Sequence, residues 1–121
     1  MTDSSRKQED FILNRKIHEP ARLQIISYLS SSSDQIPFTE LKEKLNLTAG
    51  NLSVQLKKLE ESGYVSINKS FKERKPLTRV SLTRQGLKAL QQYLEGLEIM
   101  IHRLKNNTAP SARTEENETN R

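Results

Sequence analysis

The chain has 121 residues, 33% of them hydrophobic, with a net charge of +5 and a sequence pI near 9.6. It has no cysteine, which excludes disulfides, thiolate metal sites and cysteine catalysis. No apolar run approaches the roughly 18–20 residues of a membrane span, and polar residues 1–10 lack the apolar core of a secretion signal, so the expected setting is the cytoplasm. Residues 1–10 and 106–121 are poor in large apolar groups and are expected to be disordered. Roughly 95 residues remain to build the fold, and a domain of that size is marginal alone, for which dimerisation is one common remedy.

In chain order, Phe11, Leu13 and Ile17 mark a short apolar segment of possible helical character. Pro20 suits the first turn of a helix, where its missing N–H costs nothing. Behind it Ala21, Leu23, Ile25, Ile26, Tyr28 and Leu29 recur near helical spacing. The serines from Ser30 to Ser33, followed by Asp34, end that helix in a polar loop. Ile36-Pro37-Phe38 reads as extended, because proline disfavours helix in the residue before it. Thr39 is the candidate cap of a short helix over 40–45, with Leu41 and Leu45 on one face.

Asn46-Leu47 is a turn. Thr48 caps a third helix running to about Ser62, whose core stripe is Leu52, Leu56 and Leu59. Gly63 suits the left-handed stop of that helix. The period then changes to two. Val65, Ile67 and Phe71, then Thr78, Val80 and Leu82, flank a charged tip at Lys72-Glu73-Arg74-Lys75-Pro76 and predict a β-hairpin. Thr83 caps a last helix reaching about Lys105. The expected fold is mainly α with a small β-wing. A winged helix-turn-helix domain covers 11–82 and a long C-terminal helix covers 83–105.

The charge is concentrated. Residues 46–84 hold eight basic residues against three acidic ones, a local excess equal to that of the whole chain. Such a patch suits a polyanionic partner, although a solvated surface also carries charge. On the wheel of the third helix, Gly50, Val54, Lys57 and Lys58 lie opposite the leucines, with Asn51 and Ser53 flanking. Short side chains in front allow close approach to a major groove, and lysines behind them meet phosphates. Glu60 and Glu61 fall at the far end, away from the duplex. Thr48 serves as cap, as polar contact, or both. Asn51 is a candidate partner for adenine N6 and N7. Gly50 costs about 0.8–1 kcal/mol relative to alanine in a helix, which either close backbone approach or a relaxed first turn explains.

The wing adds Lys69, Lys72, Arg74, Lys75 and Arg79. A tip so positive suits a minor groove or phosphate backbone. Lysine and proline also protect a sheet edge from unwanted pairing.

Three stretches resemble small ArsR- and MarR-like regulators. Ile17-His18-Glu19-Pro20-Ala21-Arg22-Leu23 is similar to their opening segment. The run from Leu56-Lys57-Lys58-Leu59 through Glu60-Glu61-Ser62-Gly63-Tyr64-Val65 is similar to their recognition helix entering the wing. Leu82-Thr83-Arg84-Gln85-Gly86 resembles the MarR strand-to-helix junction. The resemblance implies a homodimer on a near-palindromic double-stranded DNA site, with recognition helix 48–62 and wing 68–79. Metal-sensing ArsR proteins use cysteines or His/Asp clusters, whereas His18 and His102 are far apart here, so no metal or cofactor is expected. A small-molecule effector is left open.

Leu87, Leu90, Leu94, Leu97, Ile101 and Leu104 follow heptad spacing. Leu90, Leu94, Leu97, Ile101 and Leu104 are the candidate dimer interface, with an intramolecular core helix as the alternative. The leading function is a DNA-binding transcriptional regulator. The alternative is a protein-interaction module on the same scaffold, since fold does not fix function. Single-strand RNA binding ranks third, because most of the few aromatic residues sit at core-like positions. Catalysis ranks last: no glycine-rich phosphate loop and no recognisable histidine–nucleophile pair is present.

Overall fold

A computed structural model describes residues 13–107. Phe11 and the two expected disordered tails, apart from Asn106 and Asn107, lie outside the described residues. The elements are α1 (Pro20–Ser30), β1 (Ile36–Pro37), α2 (Phe38–Lys44), α3 (Ala49–Glu61), β2 (Val65–Lys72), β3 (Lys75–Leu82) and α4 (Arg84–Asn106). This is the order expected from the sequence, with Ile17 in a turn rather than a helix.

Each boundary has a local cause. Pro20 opens α1 behind Glu19, whose carboxylate accepts from the Arg22 N–H at 2.7 Å. At the other end the Ser30 and Ser31 hydroxyls donate to the carbonyls of Ser27 and Tyr28. These bonds occupy acceptors that the helix leaves open. The second helix starts one residue before the expected cap. Pro37 is the residue preceding it and no side chain caps it, so Thr39 lies inside the first turn. The extended dihedrals of Pro37 (φ −62°, ψ 144°) end the strand and lead directly into the helix. The third helix begins as expected, with Thr48 Oγ1 accepting from the Asn51 N–H at 3.1 Å. It ends at Gly63, where φ is +81°. There the Tyr64 N–H donates to the Leu59 carbonyl and the Gly63 N–H to that of Glu60, each at 2.9 Å. This is the paired bonding of a glycine-terminated helix.

The strands form one antiparallel sheet in the order β1-β3-β2. Ile36 pairs with Val80 and Pro37 with Arg79, so β3 is central. The β2–β3 register runs from Val65 opposite Leu82 to Lys72 opposite Lys75. Thr83 then joins sheet to helix: its hydroxyl donates to the Gly63 carbonyl at 2.6 Å and accepts from the Gly86 N–H at 2.9 Å.

The chain divides into two compact units, of which one is Leu13–Tyr93. Its core is the helical stripes and the inner sheet face: Ile17, Ile25, Ile26, Leu29, Leu41, Leu52, Leu59 and Val80 are fully buried. Each such side chain contributes about 1.5–3 kcal/mol by leaving water. Tyr28 adds a polar tie between α1 and α2, donating to Glu40 Oε2 at 2.6 Å. Among the described residues no buried side-chain nitrogen or oxygen lacks a hydrogen-bond partner. In the other unit, whose described part starts on α4 at Leu94, His102 Nε2 and Asn106 Nδ2 are 2.8 Å apart.

Candidate nucleic-acid interface

Burial of Leu52, Leu56 and Leu59 fixes the rotation of α3. The consequence is that Thr48, Gly50, Asn51, Ser53, Val54, Lys57 and Lys58 are all exposed. A Cβ built on Gly50 meets nothing within 4 Å. Packing among the described residues therefore gives no reason for a glycine there.

The exposed front of α3 is braced from behind. Arg22 on α1 donates from Nη1 to Gln55 Oε1 at 2.6 Å, and Gln55 Nε2 donates to Asn51 Oδ1 at 3.0 Å. The same guanidinium donates from Nε to the Lys16 carbonyl at 2.7 Å. Sequence reasoning passed over Arg22 and Gln55. The four-residue spacing of Asn51 and Gln55 was visible as a helical pair. The Arg22–Gln55 contact joins residues 33 apart and left no local signal.

In the wing, Glu73 and Arg74 form a two-residue turn with φ of 53° and 70°. Positive φ at both positions matches the twist of the strands, and asparagine and glycine usually supply it. Strand alternation then sorts the basic side chains. Lys69, Phe71, Pro76 and Thr78 continue the face of Val65, Ile67 and Val80, whereas Lys72, Lys75 and Arg79 lie on the other face. Lys72 and Lys75 stand directly opposite each other, a like-charge pairing that is unfavourable until an anion relieves it. Arg79 is not a tip residue. It is half-buried in the central strand between Asn68 and Pro37. Phe71 does not take the expected core-like position either. It is 74% exposed, because the hairpin extends past the body that covers Val65.

Helix and hairpin border a common cleft of 610 Å³, lined in part by Ser53, Leu56 and Lys57 from α3 and Ile67, Lys69 and Thr78 from the wing. Glu60 also lines it, which places one carboxylate beside Lys57 and Lys69 on the cleft wall. Glu60 follows Lys57 by one turn, which brings it to the same side. Among the described residues no group of three or more His, Asp or Glu could hold a metal ion. No described helix is long and apolar enough to cross a membrane.

On α4 the heptad stripe divides. Leu90 is 5% exposed and belongs to the core, together with Ala89 and Tyr93. It leaves almost no surface for a partner, so its assignment to an interface between subunits is corrected. Leu94, Ile101 and Leu104 are 47%, 44% and 64% exposed, and Leu97 is half-buried.

Known proteins resemble this arrangement. An uncharacterised protein of Methanocaldococcus jannaschii is 47% identical over 57 residues, which span 47% of this chain and 62% of that protein. A transcriptional regulator homologue of Pyrococcus horikoshii OT3 superposes with a TM-score of 0.69 at 31% identity, covering 75% of this chain and 89% of that one. The MepR–DNA complex of S. aureus shares the fold, with a TM-score of 0.61 at 14% identity over 98% of this chain and 90% of that one. A family model for a winged helix DNA-binding domain matches residues 21–101. That match takes in the helices, the sheet and most of α4, and the chain belongs to the family: a winged helix DNA-binding domain protein.

Proposed function

We propose that the chain is a transcriptional regulator that binds double-stranded DNA in a sequence-specific manner as a homodimer. The observation that carries this reading is the cleft between α3 and the hairpin, which Ser53 and Lys57 of the exposed helix face line together with Lys69 of the wing. Thr48, Gly50, Asn51, Ser53 and Val54 face base edges in the major groove, and Lys57 and Lys58 meet the phosphates. Lys69, Lys72, Arg74 and Lys75 follow the adjacent minor groove or backbone, with Arg79 behind them. The opposed Lys72 and Lys75 are the pair that gains most from phosphate nearby. The relatives support the direction of this reading: one is a transcriptional regulator homologue and another was solved on DNA.

The dimer surface is the exposed stretch of α4 at Leu94, Leu97, Ile101 and Leu104. Two copies would present two recognition helices to half-sites about 34 Å, or one helical turn, apart.

Duplex selection from a random pool, followed by a salt titration, tests the reading. The log of affinity should fall linearly with the log of salt, by about 0.9 per phosphate neutralised. Lys57→Gln, Lys58→Gln and Arg74→Gln should each reduce that slope by nearly one such step. The selected sites should be two half-sites related by a dyad. Unchanged duplex binding by a protein carrying all three substitutions would instead assign the basic face to an acidic protein partner. Sedimentation equilibrium of an Ile101→Glu protein should give monomer where the parent gives dimer.

A further inference from the structure

The brace behind the recognition helix has a direction. A guanidinium only donates, and it has no acceptor atom to offer. The Gln55 atom facing Arg22 must therefore be Oε1, at 2.6 Å. That leaves Gln55 Nε2 as the atom facing Asn51, and a donor there requires Asn51 to answer with Oδ1, at 3.0 Å. Asn51 Oδ1 is thus turned along the helix toward Gln55, and Asn51 Nδ2 is the end left for solvent. A free asparagine matches adenine, whose major-groove edge offers one donor and one acceptor. An asparagine held by its oxygen matches an edge that only accepts, and guanine N7 and O6 form such an edge.

We infer that Arg22 and Gln55 are positioning residues that fix the polarity of Asn51, so that Asn51 donates to guanine rather than pairing with adenine at one base of each half-site. This rests on the DNA-binding reading above and adds the base. The device needs no titration and no ligand. It spans α1 and α3, so base choice is set partly from a helix that does not enter the groove.

The test is selection from a random duplex pool with the full chain and three variants. Asn51→Ala identifies the base in question as the one whose preference disappears. Gln55→Glu then reverses the chain without removing it. The introduced carboxylate still accepts from Arg22, but it has no N–H for Asn51. The Asn51 amide must turn over and donate to it, presenting Oδ1 to the groove. At that base the preference should move from guanine toward adenine or cytosine, whose N6 and N4 donate, with the ratio changing on the order of tenfold. The added negative charge weakens all sequences alike and cancels in the ratio. Arg22→Met removes the fixed donor, and the preference should flatten. If that variant fails to fold, Gln55→Glu decides alone, with its melting curve as the check on folding. A guanine preference retained in Gln55→Glu overturns the polarity inference, as does a parent that prefers adenine there. A parent that enriches no duplex overturns the DNA-binding reading itself.

Discussion

Alanine replacing glycine should have opposite effects at the starts of α3 and α4. Gly86 is the third residue of α4, and Gly50 the second of α3. A Cβ at Gly86 runs into the Tyr64 carbonyl oxygen, 2.9 Å from the carbonyl carbon and 2.8 Å from Leu82 Cδ1. The Leu82 methyl has some freedom, but the Tyr64 carbonyl has little. It accepts from the Thr83 N–H at 3.0 Å, and Thr83 caps the same helix. The first turn of α4 must therefore move off the wing, at an overpacking cost of about 1–3 kcal/mol. Alanine returns at most about 1 kcal/mol in helix propensity. Even with that full return the net loss reaches about 2 kcal/mol, and each kcal/mol lost corresponds to a Tm lower by about 4–8 °C for a domain of this size. At Gly50 the space is open, so only the gain in propensity remains, and Tm should rise by a few degrees. Far-ultraviolet circular dichroism melts at one protein concentration measure both, since self-association makes Tm concentration-dependent. If the α3 backbone approaches DNA closely, Gly50→Ala should also bind duplex more weakly while melting higher. A Gly86→Ala protein as stable as the parent, or a Gly50→Ala protein less stable, would refute the packing argument.

Further outcomes follow from individual contacts. Thr48→Ala removes the α3 cap and should cost about 1 kcal/mol in urea unfolding, with Thr48→Ser keeping most of it. Leu90→Ala should cost about 2–5 kcal/mol as a core truncation, whereas Leu94→Ala should act mainly on the dimer dissociation constant read by sedimentation. Hydrogen bonding to Glu40, then burial, then the Glu40 charge raise the Tyr28 phenol above its ordinary 10.0. The neutral form is thus favoured in the folded chain, so this contribution is complete below pH 10 and fades as pH rises past it. Alkaline thermal melts should show a shallower decline for Tyr28→Phe. Phe71→Ala should leave Tm nearly unchanged, since the ring is 74% exposed.

What the sequence disclosed was what local chemistry dictates. The leucine stripe of α3, its threonine cap and its glycine stop all act within a few residues, and all were legible. So were the shift to period two at Val65 and the cap at Thr83. The exposed set on α3 followed from the same stripe. Features set by distant parts of the chain were not legible. Phe71 keeps the alternation of Val65 and Ile67, and periodicity cannot tell where the body beneath a hairpin ends. Arg79 reads as one more wing cation until β1 pairs against it. Leu90 and Leu94 are equivalent in a heptad, and only the packed core separates them. Glu19 was missed as a cap because glutamate is not among the usual capping residues.

The two-residue turn at Glu73 and Arg74 limits how this wing can diverge. Inserting a single residue breaks the pairing of β2 with β3. Inserting one in each strand restores the pairing but turns the tip over, so that Lys72 and Lys75 would exchange sides with Phe71 and Pro76. Only two in each strand return the tip to its present aspect, because side chains alternate with a period of two. Descendants that keep the same contact surface should therefore differ in hairpin length by multiples of four.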